Sequence, residues 1–189
     1  MPKQPLTKAE ALELVRRKIP SDCDVVDDAT IERDYGWLFF YQTKRFIETR
    51  DWQDGLIGSG GILVENHGGR CVEFGSGHRA EINLKIYEAG YLDHDNFDIV
   101  ISAISNLEEA IGLLLGLDIV FVKPEVAYGE TWRIATRYSP TQLSQRLSKL
   151  PCRFNLGRLY RLYKALELMK NSRCLKYELV PNVGFRNEI

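Results

Sequence analysis

The chain lacks several features that would narrow its function at once. No stretch approaches the roughly 18 to 20 apolar residues that a membrane-spanning helix needs. No apolar segment follows Met1-Pro2-Lys3-Gln4-Pro5, so no secretory signal is expected. No charge of one sign dominates: the net charge is −1, which implies no bulk attraction to nucleic acid or to a membrane surface. Cysteine is scarce and scattered. Cys23, Cys71, Cys152 and Cys174 form no C-x-x-C pair, which argues against a structural zinc site and against a disulfide framework. An intracellular chain with reduced thiols is the expectation.

What is present is enough for a real core. The chain has 189 residues and is 44% hydrophobic, which suits one large domain or two small ones. Its first helix signal is Thr7-Lys8-Ala9-Glu10, a capping box in which Thr7 caps and Glu10 reaches back. Leu12, Val15 and Ile19 follow at near-helical spacing, and Pro20 stops the pattern. Asp22 to Asp34 is rich in acids and β-branched residues, and Thr30, Glu32 and Asp34 alternate with Ile31, Arg33 and Tyr35 as in a half-exposed strand. Leu38 to Tyr41 reads as a strand too apolar to be solvated on either face, and it gives way abruptly to the charged run after Gln42. Residues 44 to 57 fit either a short helix or an irregular loop. Gly58-Ser59-Gly60-Gly61 breaks that run. Ile62 to Glu65, the turn Asn66-His67-Gly68-Gly69 and Cys71 to Phe74 then form a hairpin. Arg79 to Ala89 reads as a helix capped by Gly90.

A second α+β pattern starts after Leu92-Asp93-His94-Asp95-Asn96. Phe97 to Ile104 is a strand. Asn106 caps a helix with an acid at its third position, running to about Leu115 and stopping at Gly116. Asp118 to Val122 is a short strand before Lys123-Pro124, and Tyr128 to Tyr138 a longer one. Ser139-Pro140-Thr141-Gln142 starts a helix carried by Leu143, Leu147 and Leu150. Asn155 to Lys170 gives the longest helical pattern, through Leu159, Leu162, Leu166 and Met169. Leu175 to Val180 closes as a strand. The expected architecture is α+β: two small packed modules, residues 1–92 and 93–189, each a short antiparallel or mixed sheet with helices on one face.

Catalytic and metal signals are weak. His67 and Cys71 flank a turn, and His78 and His94 lie at boundaries, so no ligand set is expected. Gly58-Ser59-Gly60-Gly61 lacks the Lys-Ser/Thr pair of a phosphate loop and precedes a strand. Gly75-Ser76-Gly77 precedes a helix, but tight turns explain both. No nucleophile elbow appears. The pair Asp27-Asp28 lies in an acidic surface stretch, and Glu108-Glu109 sits where a helix dipole favours negative charge. No enzyme, cofactor or metal is implied.

Binding signals are stronger. Between Thr131 and Tyr177 eleven basic residues stand against Glu167 alone. Arg158, Arg161 and Lys164 recur every three residues with Tyr160 and Tyr163 between them. That pattern suits an acidic protein, nucleic acid or an ordinary solvated helix face. The N-terminal half leans acidic through Asp22, Asp24, Asp27, Asp28, Glu32 and Asp34. Trp52 lies among Arg50, Asp51, Gln53 and Asp54. It is either an interface anchor, a role for which tryptophan is enriched, or a residue folded back onto the core. Trp37 reads as core.

The run Gly36-Trp37 to Tyr41, then Glu48-Thr49 and Asp51, then Gly58 to Gly61 with Ile62 to Val64, then Glu73-Phe74-Gly75 before a helix, resembles the immunity-protein-35 family of bacterial polymorphic-toxin systems. The resemblance covers about residues 8–92, near where typical members end, and nothing firm is identified in residues 97–189. It implies a small α+β domain and a cytoplasmic bacterial antidote. Such a protein neutralises a cognate toxin domain by stoichiometric binding, without catalysis. Candidate contact residues are Asp27, Asp28, Glu48, Asp51, Trp52, Asp54, Arg158, Arg161 and Lys164. The partner expected is a protein rather than nucleic acid, with no membrane and with the oligomeric state open. The alternative is a nucleic-acid-binding or regulatory module that uses the basic C-terminal half.

Overall fold

The computed structural model describes residues 4–182, and within it the chain is α+β with antiparallel sheets. It divides into two compact units, residues 1–85 and 86–189.

The first unit begins with α1 (Lys8–Arg16). Its capping box forms as the sequence dictates: the Thr7 hydroxyl accepts from Glu10 N at 3.3 Å, and Glu10 accepts from Thr7 N at 2.8 Å. Four antiparallel strands build the main sheet in the order β2 (Ile31–Arg33), β3 (Gly36–Phe39), β5 (Ser59–Glu65), β6 (Cys71–Gly75). A separate pair joins β1 (Cys23–Val25) to β4 (Tyr41–Thr43). Side chains alternate across a strand. Trp37 opposite Val64 and Phe39 opposite Ile62 therefore share one face, where α1 packs through Ala11 and Val15, joined by Ile19 beyond its end. Leu38 opposite Leu63 takes the other face, and both are wholly buried. The aromatic strand is thus unsolvated on both sides, as its composition requires.

The alternating residues 30–35 contain β2, as their pattern implies, and the acidic stretch before them divides into β1 and a 3-10 turn at Asp27–Ala29. The strand expected from Ile62 starts earlier, because Ser59, Gly60 and Gly61 are already in β5. A register shift between Ser59 and Ile62 brings the neighbouring strands unusually close. A Cβ on Gly60 would lie 2.3 Å from Gly75 O, and one on Gly61, at φ 93°, would lie 2.8 Å from Phe39 O. The glycines are a bulge device, not an anion loop.

The helix α3 (Ala80–Glu88) follows β6, and the division between the units falls within it. In the second unit β7 (Phe97–Ile104) is the centre of a three-stranded antiparallel sheet, flanked by β10 (Cys152–Gly157) and β11 (Leu175–Pro181). Three helices accompany it: α4 (Leu107–Gly116), α5 (Pro140–Leu147) and α6 (Tyr163–Asn171). Their buried residues include Ala110, Leu114, Leu143, Leu147, Leu166 and Met169. Asn106 and Ser139 cap α4 and α5 through their side chains.

The helix α4 ends at Gly116, where its pattern stops, and the chain turns at Asp118, φ 53°. Two expectations are corrected here. Lys123-Pro124 does not end a strand: β8 (Val120–Ala127) runs through it and pairs with β9 (Glu130–Arg137) as an isolated two-stranded ribbon. The turn between them, Tyr128-Gly129, has positive φ at both residues, 54° and 80°, the turn that matches the natural twist of a two-residue hairpin. Finally, Asn155 to Lys170 is not one helix. Its first residues close β10, a 3-10 turn covers Leu159–Leu162, and only then does α6 begin.

Candidate functional site

In the first unit the candidate surface is the segment after β4. Thr43 caps α2 (Lys44–Thr49) by accepting from Phe46 N at 3.0 Å, and Arg50 ends it in the left-handed region at φ 59°. The next turn, Trp52–Asp54, is a 3-10 turn capped by Asp51, which accepts from Gln53 N at 2.9 Å. Thr49 Oγ1 accepts from Asp51 N at 3.1 Å and donates to Arg45 O at 2.9 Å. Asp54 pairs with Arg45 Nε at 3.0 Å, and its backbone carbonyl accepts from the Thr43 hydroxyl. Gln42 closes the segment by binding both polar groups of the Leu56 backbone, at 2.6 and 3.2 Å.

These contacts divide the candidate residues by role. Asp51 and Asp54, with Thr49, shape the loop. What the loop displays is Trp52, 85% exposed with its ring centroid 5.7 Å from that of Phe46, together with Ile57, 93% exposed. Of the two positions open to Trp52, core or surface, it occupies the surface, whereas Trp37 is buried. Glu48 lies exposed on α2. Beside Ile57 a cleft of about 400 Å³ opens between Tyr41, Leu56, Ile62, Glu73 and Phe74. Asp27 and Asp28 sit exposed on their 3-10 turn, while Asp24 is drawn to Arg16 Nε at 3.6 Å.

In the second unit the basic residues do not form one helical stripe. Arg158 precedes the 3-10 turn and faces Asp95 at 3.4 Å. Arg161 lies on that turn, donates to the Tyr160 hydroxyl at 3.0 Å and stacks 5.6 Å from its ring. That hydrogen bond draws the Tyr160 hydroxyl below its ordinary pKa. Lys164 is exposed in the first turn of α6. The helical spacing of the leucines hid the strand that precedes them, and so overstated the continuity of the charges.

A more concentrated basic surface lies at the root of the ribbon. Tyr138, Gln142, Arg146, Lys149 and Arg153 line an open cleft of about 460 Å³. Phe121, Tyr138 and Phe154 form a chain of ring contacts, with centroids 4.7 and 5.4 Å apart, that ties the ribbon to β10. Arg146 stacks on Phe154 and donates to Arg153 O at 2.8 Å.

Asp98 is the charged group that sequence reasoning missed. It is 4% exposed and receives Asn155 at 2.7 Å, Asn182 at 3.0 Å, and Arg153. Burial pushes its carboxyl up, but the donors from Asn182, Asn155 and Arg153 outweigh that and hold it below its ordinary value. The signal was an acid between Phe97 and Ile99 in an otherwise apolar strand. Such a buried charge must be paired.

Among the described residues no three His, Cys, Asp or Glu side chains gather to hold a metal ion, and no helix is long and apolar enough to cross a membrane. All four cysteines are free. The first unit is thus a small antiparallel α+β domain that displays a loop fixed by its own side chains. Residues 7–85 match the family model described as Immunity protein 35. That is the family which the aromatic strand, Glu-Thr-x-Asp turn and glycine run resemble, and the match ends where the first unit ends. No curated protein and no solved structure matches the chain.

Proposed function

We propose that the protein is an immunity protein that neutralises a cognate toxin domain by direct, stoichiometric binding in the bacterial cytoplasm, without catalysis. The observation that carries this reading is the immunity-protein-35 match over residues 7–85, within the first unit. The surface that supports it is the tied loop with Trp52 and Ile57 in solvent. An exposed tryptophan on a pre-ordered loop is the type of anchor that dominates protein interfaces, because little ordering remains to be done on binding. Glu48, Asp27 and Asp28 give the same unit free carboxylates for a basic partner.

Co-expression with the toxin domain encoded beside its gene tests the reading. The expected result is rescued growth and a complex that elutes as one species at one-to-one stoichiometry. Protection at a small fraction of the toxin concentration overturns binding in favour of an enzymatic antidote. No rescue and no complex overturns the immunity role.

A further inference from the structure

The ribbon of β8 and β9 lies outside the residues that the immunity match covers. A two-stranded ribbon is marginal in water on its own. Seven of the eight residues of β9 are exposed, and each strand offers an outer edge.

The two edges are not equivalent. Pro124 sits in mid-β8, directly opposite Arg133. Proline has no N–H, so it fits a ladder only where that group would point outward. The outward donor row of β8 is therefore interrupted at its centre. By the same parity Arg133, opposite Pro124, turns its own N–H and C=O outward, with Thr131, Ala135 and Arg137 in step. The outer row of β9 contains no proline and is intact.

The faces of β9 are also sorted. Arg133 and Arg137 point to one side, and Trp132 and Ile134, 52% and 42% exposed, point to the other. Arg137 is held by Asp118 at the ribbon's root, with Nη2 to Oδ2 at 2.8 Å. Arg133 lies at mid-strand. A strand laid along this edge meets a cation on one face and apolar side chains on the other. A second copy of β9 is a poor match, because it brings two arginines and a single acid, Glu130.

We propose that the outer edge of β9 is a docking edge for an extended segment of a partner protein in which carboxylate and apolar side chains alternate. Such a segment adds a third strand by main-chain hydrogen bonding, with specificity from alternate side chains. Only the identification of that partner with the toxin rests on the immunity reading.

The edge is tested without the toxin. The probe is a fluorescein-labelled nonapeptide of alternating glutamate and valine, titrated against the full chain and followed by anisotropy. Saturable binding is expected. It should weaken at least tenfold in Ala135→Pro, which removes one outward donor, and in Arg133→Glu, which reverses the charge without touching the backbone. It should weaken similarly for a peptide of the same composition with its glutamates and valines in separate blocks. Absence of binding, equal binding of the block peptide, or binding unchanged in Arg133→Glu overturns the proposal. Sedimentation of the unliganded chain as a dimer that Ala135→Pro dissociates also overturns it, since the edge then belongs to a second copy. A failed toxin rescue beside successful peptide binding overturns the immunity role alone.

Discussion

The loop of residues 44–57 and the ribbon of residues 120–137 both carry a tryptophan into solvent, and they hold it by opposite means. The loop is fixed by side chains: Thr43, Thr49, Asp51, Asp54 and Gln42 each bond to a backbone group or ion partner within it. The ribbon is held by its backbone ladder and by aromatic contacts at its root, with Trp132 Nε1 to Ala127 O at 3.3 Å near the tip. A surface tied by side chains is shaped before a partner arrives. One tied by a ladder alone offers unfilled hydrogen-bonding capacity, and gains most from a further strand.

The comparison breaks most visibly in the frame beneath the ribbon. Asp98→Ala leaves Asn155, Asn182 and Arg153 without their common acceptor, and a loss of about 3 kcal/mol is expected in denaturant unfolding of the second unit. The pH dependence has a definite sign. The folded-state value lies below the ordinary 3.8, so the stabilisation is complete above that value and fades as pH falls through the lowered one. In Asp98→Asn this acid-sensitive component should vanish from the stability–pH curve.

A second variant separates display from folding. Under the proposed function, Trp52→Ala should weaken binding of the toxin domain by about 2 kcal/mol in calorimetry while the melting temperature stays within about a degree or two. An equal loss of thermal stability would place Trp52 in the frame and remove it from the interface. Gln42→Ala targets the tie itself. Two hydrogen bonds to Leu56 disappear, and amide exchange at Leu56 should accelerate by an amount equivalent to about 1 to 2 kcal/mol. The smallest effect belongs to the ribbon. Gly129→Ala strains a positive-φ turn at a cost of about 1 kcal/mol, and limited proteolysis near Tyr128 should quicken with no change in global unfolding.

The same contrast explains what was legible in the sequence. The capping residues Thr7, Asn106 and Ser139 mark helix starts because an oxygen-bearing side chain there satisfies an amide the helix cannot. The bounds of β7 are readable because apolar β-branched residues fill it between polar flanks. β10 was hidden because its period-two pattern, Cys152 and Phe154, is shorter than the leucine pattern from Leu159 that overruns it. The ribbon shows in the sequence as a short strand and a longer one, with no sign that they pair. Pro124 looks like a terminator, and nothing in residue order says which way its missing donor faces. The tie between Gln42 and Leu56 joins residues that neither periodicity nor motif connects. Trp52 was undecided for the same reason, because its neighbours' polarity permits either fate until the Asp51 and Thr49 bonds turn it outward.

Pro124 has a further consequence when the ribbon is regarded as a monomer in the polymer chemist's sense. Growth by edge-to-edge stacking needs two reactive ends on every unit. With one edge interrupted, this ribbon is monofunctional: whatever joins β9 terminates the series, and the most exposed β-structure in the protein cannot propagate a filament through itself.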